Sequence, residues 1–140
     1  MLTYIPENMQ GEINLSLLLK TMTPELNEGD YVFCTIPHEQ EIDFSIIISS
    51  FNEKEGLTIV LNKRDADNLR LSYHYVAAWI TLTVYSSLEA VGLTAAFSKA
   101  LADAGISCNV IAACYHDHIF VAKNDADRAM EVLRKLSVSF

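Results

Sequence analysis

The apolar side chains Leu15, Leu18, Leu19 and Met22 fall at the i, i+3, i+4, i+7 spacing of a helix that buries one face. Asn14 offers an N-cap, and Thr23-Pro24 ends the helix because a residue ahead of proline is pushed out of the α region. A loop over 25–29 follows. The β-branched and aromatic run 31–36 predicts a strand closed by Pro37. The segment 42–51, with Ile46, Ile47 and Ile48 in succession, predicts a longer and well-buried strand. Polar residues 52–56, ending in Gly56, predict a hairpin loop with 57–61 as the returning strand, and 64–71 predicts a short helix. From 76 to 85, Trp79, Thr81, Thr83 and Tyr85 alternate with Ile80, Leu82 and Val84, the period of a strand in a sheet. Leu93, Phe97, Ala100, Leu101 and Ala104 then mark a helical face ended by Gly105. Strands over 106–113 and 118–122 form a hairpin around Tyr115-His116-Asp117. A last helix opens on acidic residues at Asn124-Asp125-Ala126-Asp127, its apolar face made by Ala126, Ala129, Met130, Leu133 and Leu136. The second half thus reads βαββα.

The two halves echo one another. TIVLNKRDADNL (58–69) aligns with HIFVAKNDADRA (118–129) at a constant offset of 60, matching Lys63, Asp65, Ala66 and Asp67 to Lys123, Asp125, Ala126 and Asp127. Both segments lead from a hairpin strand into a helix, which points to a structural repeat. The first half is abbreviated: between Ile36 and Ile42 it has no room for a helix, and the helix near Leu15 is the candidate to fill that space. The division expected is 1–72 and 73–140.

Composition narrows the function. A net charge of −8 with scattered basic residues disfavours phosphate backbones, so nucleic acid is not an expected partner. The N-terminal residues carry no basic and apolar leader pattern, and no apolar run approaches the roughly 18 residues of a membrane span. A cytoplasmic protein without membrane contact is expected. Cys34, Cys108 and Cys114 are odd in number and lack CxxC spacing, which suggests reduced, buried thiols.

The stretch Ser86 to Leu93 joins a strand to a helix start, where free backbone N–H groups and the dipole favour a carboxylate. Ser87, Glu89, Val91, Gly92 and Leu93 form one side of a candidate ligand site, and Cys108, Asn109 and Val110 on the neighbouring strand form the other. The competing reading is that Ser87 only caps the helix and Gly92 only relieves crowding. Cys114-x-His116-x-His118 has donors suited to zinc but no fourth ligand, and a turn interrupts its alternation; no metal or other cofactor is expected. No catalytic motif is present: His38-Glu39-Gln40-Glu41 lacks the second histidine of a metalloprotease helix, and nothing in the spacing supports pairing Cys34 with His38 or Ser87 with His116.

The run SSLEAVGLTAAFSKALADAGISCNVIAACYHDHIFV, with Gly92 after the first strand, Ala102-x-x-Gly105-Ile106 ahead of the second and the hairpin beyond, resembles the ACT domains that sense amino acids in aspartate kinases and other metabolic regulators. It looks most like a bacterial group of stand-alone tandem ACT proteins. The resemblance implies an α+β, ferredoxin-like protein of two ACT-like modules, an abbreviated N-terminal one and a βαββα C-terminal one, with helices on one face of the sheet. It implies a regulatory rather than enzymatic chain, a small-molecule ligand such as an amino acid at the residues named above, and edge-to-edge pairing into a homodimer or higher homo-oligomer. The strand at 31–36 is the candidate to complete the second sheet. An alternative is a module that dimerises through its sheet and binds no ligand. Glu89-Ala90-Val91-Gly92 stands where many ACT domains carry Asp or Asn ahead of Pro-Gly, so the resemblance names no particular ligand.

Overall fold

The computed structural model describes residues 14–84 and 87–139; the leader reading at the N-terminus and the positions of Tyr85 and Ser86 lie outside them. The elements run α1 (Leu15–Thr21), β1 (Thr23–Leu26), β2 (Tyr31–Ile36), β3 (Ile47–Asn52), β4 (Leu57–Asn62), α2 (Lys63–Asn68), β5 (Val76–Thr83), α3 (Leu93–Asp103), β6 (Asn109–Ala112), β7 (Asp117–Ala122) and α4 (Ala126–Val138). The seven described strands form one sheet in the order β3-β4-β2-β5-β7-β6, with β1 also paired to β5. Every pairing is antiparallel.

The alternation read in β5 is realised. Ile80, Leu82 and Val84 are buried beneath Phe97 and Leu101 of α3 and Ala129 and Leu133 of α4. Each such large side chain taken out of water contributes about 1.5–3 kcal/mol. The repeat is realised too. Ile59, Leu61 and Ala66 lie in the core beneath α2, while Ile119, Val121 and Ala126 hold the positions 60 residues on in the larger core.

Three expectations change. Helix α1, capped by the Asn14 side chain on the Leu17 N–H at 3.1 Å, does not cover the first half. Its Leu18, Leu19 and Met22 join the core of α3, α4 and β5. In the first half, Ile42, Ile46 and Ile47 pack on the Val32, Cys34 and Ile36 core where a helix would otherwise sit. The long buried strand is therefore shorter: a 3-10 turn at Phe44–Ile46 precedes β3, whose Phe51 is exposed. The hairpin after it turns on Gly56, where a Cβ would stand 2.7 Å from the Ile36 carbonyl oxygen.

The third change is β1. Thr23-Pro24-Glu25-Leu26 was expected to leave the helix as a loop, yet it pairs with Thr83, Leu82, Thr81 and Ile80 of β5. β2 meets β5 at only two positions, Tyr31 with Ala77 and Val32 with Val76, where β5 begins, and pairs with β4 along its whole length on the other edge. β1 and β2 thus occupy the same edge of β5 in succession, and β1 rather than β2 completes most of the second sheet. Asn27 bridges the step. Its N–H and its Nδ2 both donate to the Trp79 carbonyl, at 2.9 and 3.2 Å, and Nδ2 also donates to Thr81 Oγ1 at 3.0 Å. The matched lysines of the repeat meet beside it: the Lys63 N–H donates to the Asp30 carbonyl at 2.8 Å, and the Lys123 ammonium reaches the Asp30 carboxylate at 2.9 Å and the Gly29 carbonyl at 2.8 Å.

Asn27→Ala removes both side-chain bonds at the step. Urea unfolding is expected to show a loss of about 1–3 kcal/mol, against about 1 kcal/mol or less for Lys123→Met, whose ion pair is partly solvated. Equal losses would mean that the step does not depend on Asn27.

Candidate functional site

Strands pair about 4.8 Å apart, so β3 and β6, five pairings apart in the order, would lie some 24 Å from each other in a flat sheet. Instead Ile48 and Ser49 of β3 line the same cavity as Ile111 of β6. The sheet therefore curls, concave on the side away from the helices. That side carries Tyr31, Val60, Ala77 and Phe120, with Phe33, Ile48, Tyr75, Trp79 and Ile111 packed against them. Trp79 stacks on Phe120 with centroids 6.1 Å apart and meets Tyr31 edge-on at 5.3 Å. The cavity, about 200 Å³, is closed by Ala113 and His118. A neighbouring hollow of about 410 Å³ runs along the gap between the two edge strands and shares Ser49 and Ile111 with it.

One polar system reaches into this apolar concavity. Trp79 Nε1 donates to His118 Nδ1 at 3.0 Å, and Thr81 Oγ1 stands 3.3 Å from the same nitrogen. Asn27 Nδ2 already donates to Thr81 Oγ1, which leaves the threonine proton available to Nδ1. An indole N–H can only donate, so Nδ1 is an acceptor and the neutral ring carries its proton on Nε2. Burial, aided by the nearby His116, lowers the His118 pKa below its ordinary 6.5.

The structure gathers Ser87, Glu89, Val91, Gly92 and Leu93 into a single turn ahead of α3. Ser87 Oγ accepts the Glu89 N–H at 3.1 Å and its carbonyl accepts the Ala90 N–H at 2.9 Å. Leu93 is buried, whereas Leu88 and Val91 are 70% and 83% exposed. Gly92 caps α3 at φ +101° with no side-chain cap bond, and a Cβ there would stand 3.0 Å from Leu15 Cδ2. Cys108 and Val110 pack against the same core cluster as Ala90 and Leu93. Ala112 is level with Leu82 through Asp117, but Asn109 is level with Trp79 through Phe120, about 10 Å back along the strand at ~3.3 Å per residue. Asn109 Nδ2 donates to the Phe120 carbonyl, and burial pushes the Cys108 thiol up to about 11.

Of the three thiols, Cys34 is buried, Cys108 half-buried and Cys114 exposed at the hairpin tip, so the expectation of three buried cysteines fails for Cys114. The Ala113 N–H bonds the His116 carbonyl there, breaking the alternation that would align Cys114, His116 and His118. Among the described residues no three His, Cys, Asp or Glu side chains are placed to hold a metal ion. His38 is exposed while Cys34 faces the core. Sequence reasoning missed the Trp79, Thr81, Asn27 and His118 system. Its one legible trace was the face of β5 opposite Ile80 and Leu82, where Trp79 is too large and apolar to stand in open water.

Protonating His118 Nδ1 would set two donors against each other. A histidine whose folded pKa is lowered contributes stability that is complete above 6.5 and is lost as pH falls through the folded value. The buried Asp117, whose pKa is raised, has the opposite sign. The urea midpoint is therefore expected to fall from pH 7 to 5 more steeply in the parent chain than in His118→Gln. The imidazole ¹⁵N spectrum at pH 7 should show Nε2–H, and an Nδ1–H tautomer would contradict the network.

Models of the ACT domain match residues 10–78 and 75–135. None of the curated proteins matches the chain. Among solved structures, a Vibrio cholerae protein of unknown function, titled a possible transport protein, is 50% identical over 88% of this chain and 95% of its own, with a TM-score of 0.79. An Agrobacterium tumefaciens protein is 16% identical over 83% of this chain and 89% of its own, at a TM-score of 0.67. The regulatory subunit of Thermus thermophilus aspartate kinase shares the fold at 8% identity and a TM-score of 0.62, over 84% of this chain and 97% of its own. No described helix is long and apolar enough to cross a membrane. With an abbreviated first unit and a βαββα second unit, each matched by an ACT domain model, this chain belongs to the ACT domain family.

Proposed function

We propose that the chain is a cytoplasmic regulatory module that binds an amino acid, catalyses no reaction, and transmits the binding through self-association. The observation that carries this reading is the turn at 87–92. It presents the first turn of α3 without a side-chain cap, which suits a carboxylate, and it holds Leu88 and Val91 out in solvent, which suits a covering surface. In this reading Ser87, Glu89, Val91, Gly92 and Leu93 form the ligand's first wall, and the Glu89 carboxylate is the group that would pair with an ammonium. Asn109 is level with Trp79, three residues back along the sheet from Leu82, and in this reading Cys108, Asn109 and Val110 close the site from a second copy of the chain. The likeness to aspartate kinase regulatory structures supports the regulatory role. No cofactor, nucleic acid or membrane enters it. The exposed Leu88 and Val91, with Phe44 in the turn before β3 and Phe51 on β3, also favour a second reading, a module that assembles without a ligand.

A thermal-shift screen of the twenty amino acids, paired with sedimentation velocity, separates the two. A ligand at a hundred times its Kd stabilises the protein by about 2.7 kcal/mol, and the responding amino acid should also change the sedimenting mass. Glu89→Gln should weaken that response and Val91→Glu should reduce association. Association that Val91→Glu abolishes, but that no amino acid alters, would establish the assembly module instead.

A further inference from the structure

The concave face holds a site of different chemistry. Its walls are the faces of Trp79 and Phe120 and the side chains of Ile48, Ile111 and Ala113, with Ser49 at the rim. A dry apolar cavity of about 150 Å³ holds benzene, so about 200 Å³ admits one aromatic ring with a short substituent. Among the described residues no Lys, Arg, Asp or Glu lines this cavity or the adjoining hollow. A carboxylate or ammonium group entering it would lose its water without gaining a counter-charge, a cost of several kcal/mol. That disfavours a free amino acid buried in this cavity with both of its charges. The polar side chains of the lining are Ser49 and His118, and the His118 Nδ1 is occupied by Trp79 and Thr81. The remaining nitrogen, Nε2, carries the ring proton and can donate to an acceptor.

We propose that the cavity between β3 and β6 binds a small uncharged aromatic or heteroaromatic molecule bearing a carbonyl-type acceptor, its ring against Trp79 and Phe120 and its acceptor on His118 Nε2–H. A larger substituent has a path into the hollow lined by Phe33, Val60 and Phe51, which meets the cavity at Ser49 and Ile111. The binding geometry explains why Trp79 and Thr81 are both spent on one nitrogen: together they fix which edge of the imidazole donates. This site is independent of the amino-acid reading, because it shares no residue with the turn at 87–92.

Trp79 is the single tryptophan of the chain, so its indole resonance reports on the cavity alone. The full chain is titrated at pH 7.5 with acetophenone, ethylbenzene and benzoate while ¹H–¹⁵N spectra follow that resonance. Acetophenone should shift it saturably. Ethylbenzene, of similar shape but lacking the acceptor, should bind about fivefold to tenfold more weakly, the loss of roughly one hydrogen bond. Benzoate should bind more weakly than acetophenone because of its charge. Ile111→Phe, which fills the cavity from β6 while leaving Trp79 the single indole, should abolish the acetophenone shift, and Ser49→Phe does the same from β3 should the first variant unfold. The proposal is overturned if acetophenone gives no saturable shift, or if the shift survives in a folded cavity-filled variant. Equal affinity for ethylbenzene would remove the role of His118, and equal affinity for benzoate would remove the uncharged ligand class. Failure of the amino-acid screen leaves this titration readable, since none of the probes carries an ammonium group.

Discussion

β5 has one long edge, and two strands from the same stretch of chain occupy it in turn. β1 takes the end at Ile80–Thr83, β2 takes Val76 and Ala77, and Asn27 bridges the step by satisfying the Trp79 carbonyl between them. An unpaired carbonyl at that point would cost about 1–3 kcal/mol. Because β1 stays with the second unit while β2 crosses to the first, the two units cannot be separated without breaking one continuous ladder. The first unit has little of its own to rely on. Its buried core is Val32, Cys34, Ile36, Ile59, Leu61 and Ala66 beneath a six-residue helix. Assemblies of about 40 residues or fewer seldom fold unaided, so its stability is borrowed from β5.

The same step produces the concavity. β5 begins at Val76, so β2 shares only two residue pairs with it, and across this short ladder the sheet curls rather than running flat. The bend brings β3 round to β6 and encloses Trp79, Phe120 and His118 on the face without helices. Architecture and candidate chemistry therefore share a cause. Asn27 both holds the step and, through Thr81, sets the hydrogen bonding at His118.

What the sequence revealed was local. The helices α1, α3 and α4 were legible because their apolar residues repeat at helical spacing, and β5 because it alternates. The repeat was legible because Lys63 to Asp67 and Lys123 to Asp127 keep their identities as well as their order. β1 was not legible: four residues containing Pro24 carry no periodic signal, and only the partner 60 residues away makes them a strand. The isoleucines of 42–48 misled because burial alone does not distinguish a strand from a segment packed where a helix is missing. At the candidate site, the turn at 87–93 could be read from its glycine and its position before a helix. The His118 system could not, since Trp79 lies 39 residues from its partner, and His118 was more naturally grouped with its neighbours Cys114 and His116.

Residue-resolved native-state hydrogen exchange tests the shared edge most directly. If β5 unites both units, the amides of Leu61 in β4, Ile80 in β5 and Val121 in β7 should exchange with one common free energy equal to that of global unfolding, and should respond alike to denaturant. An opening of β2, β3 and β4 at distinctly lower free energy, with β5 and β7 still protected, would show two independent domains and contradict the account.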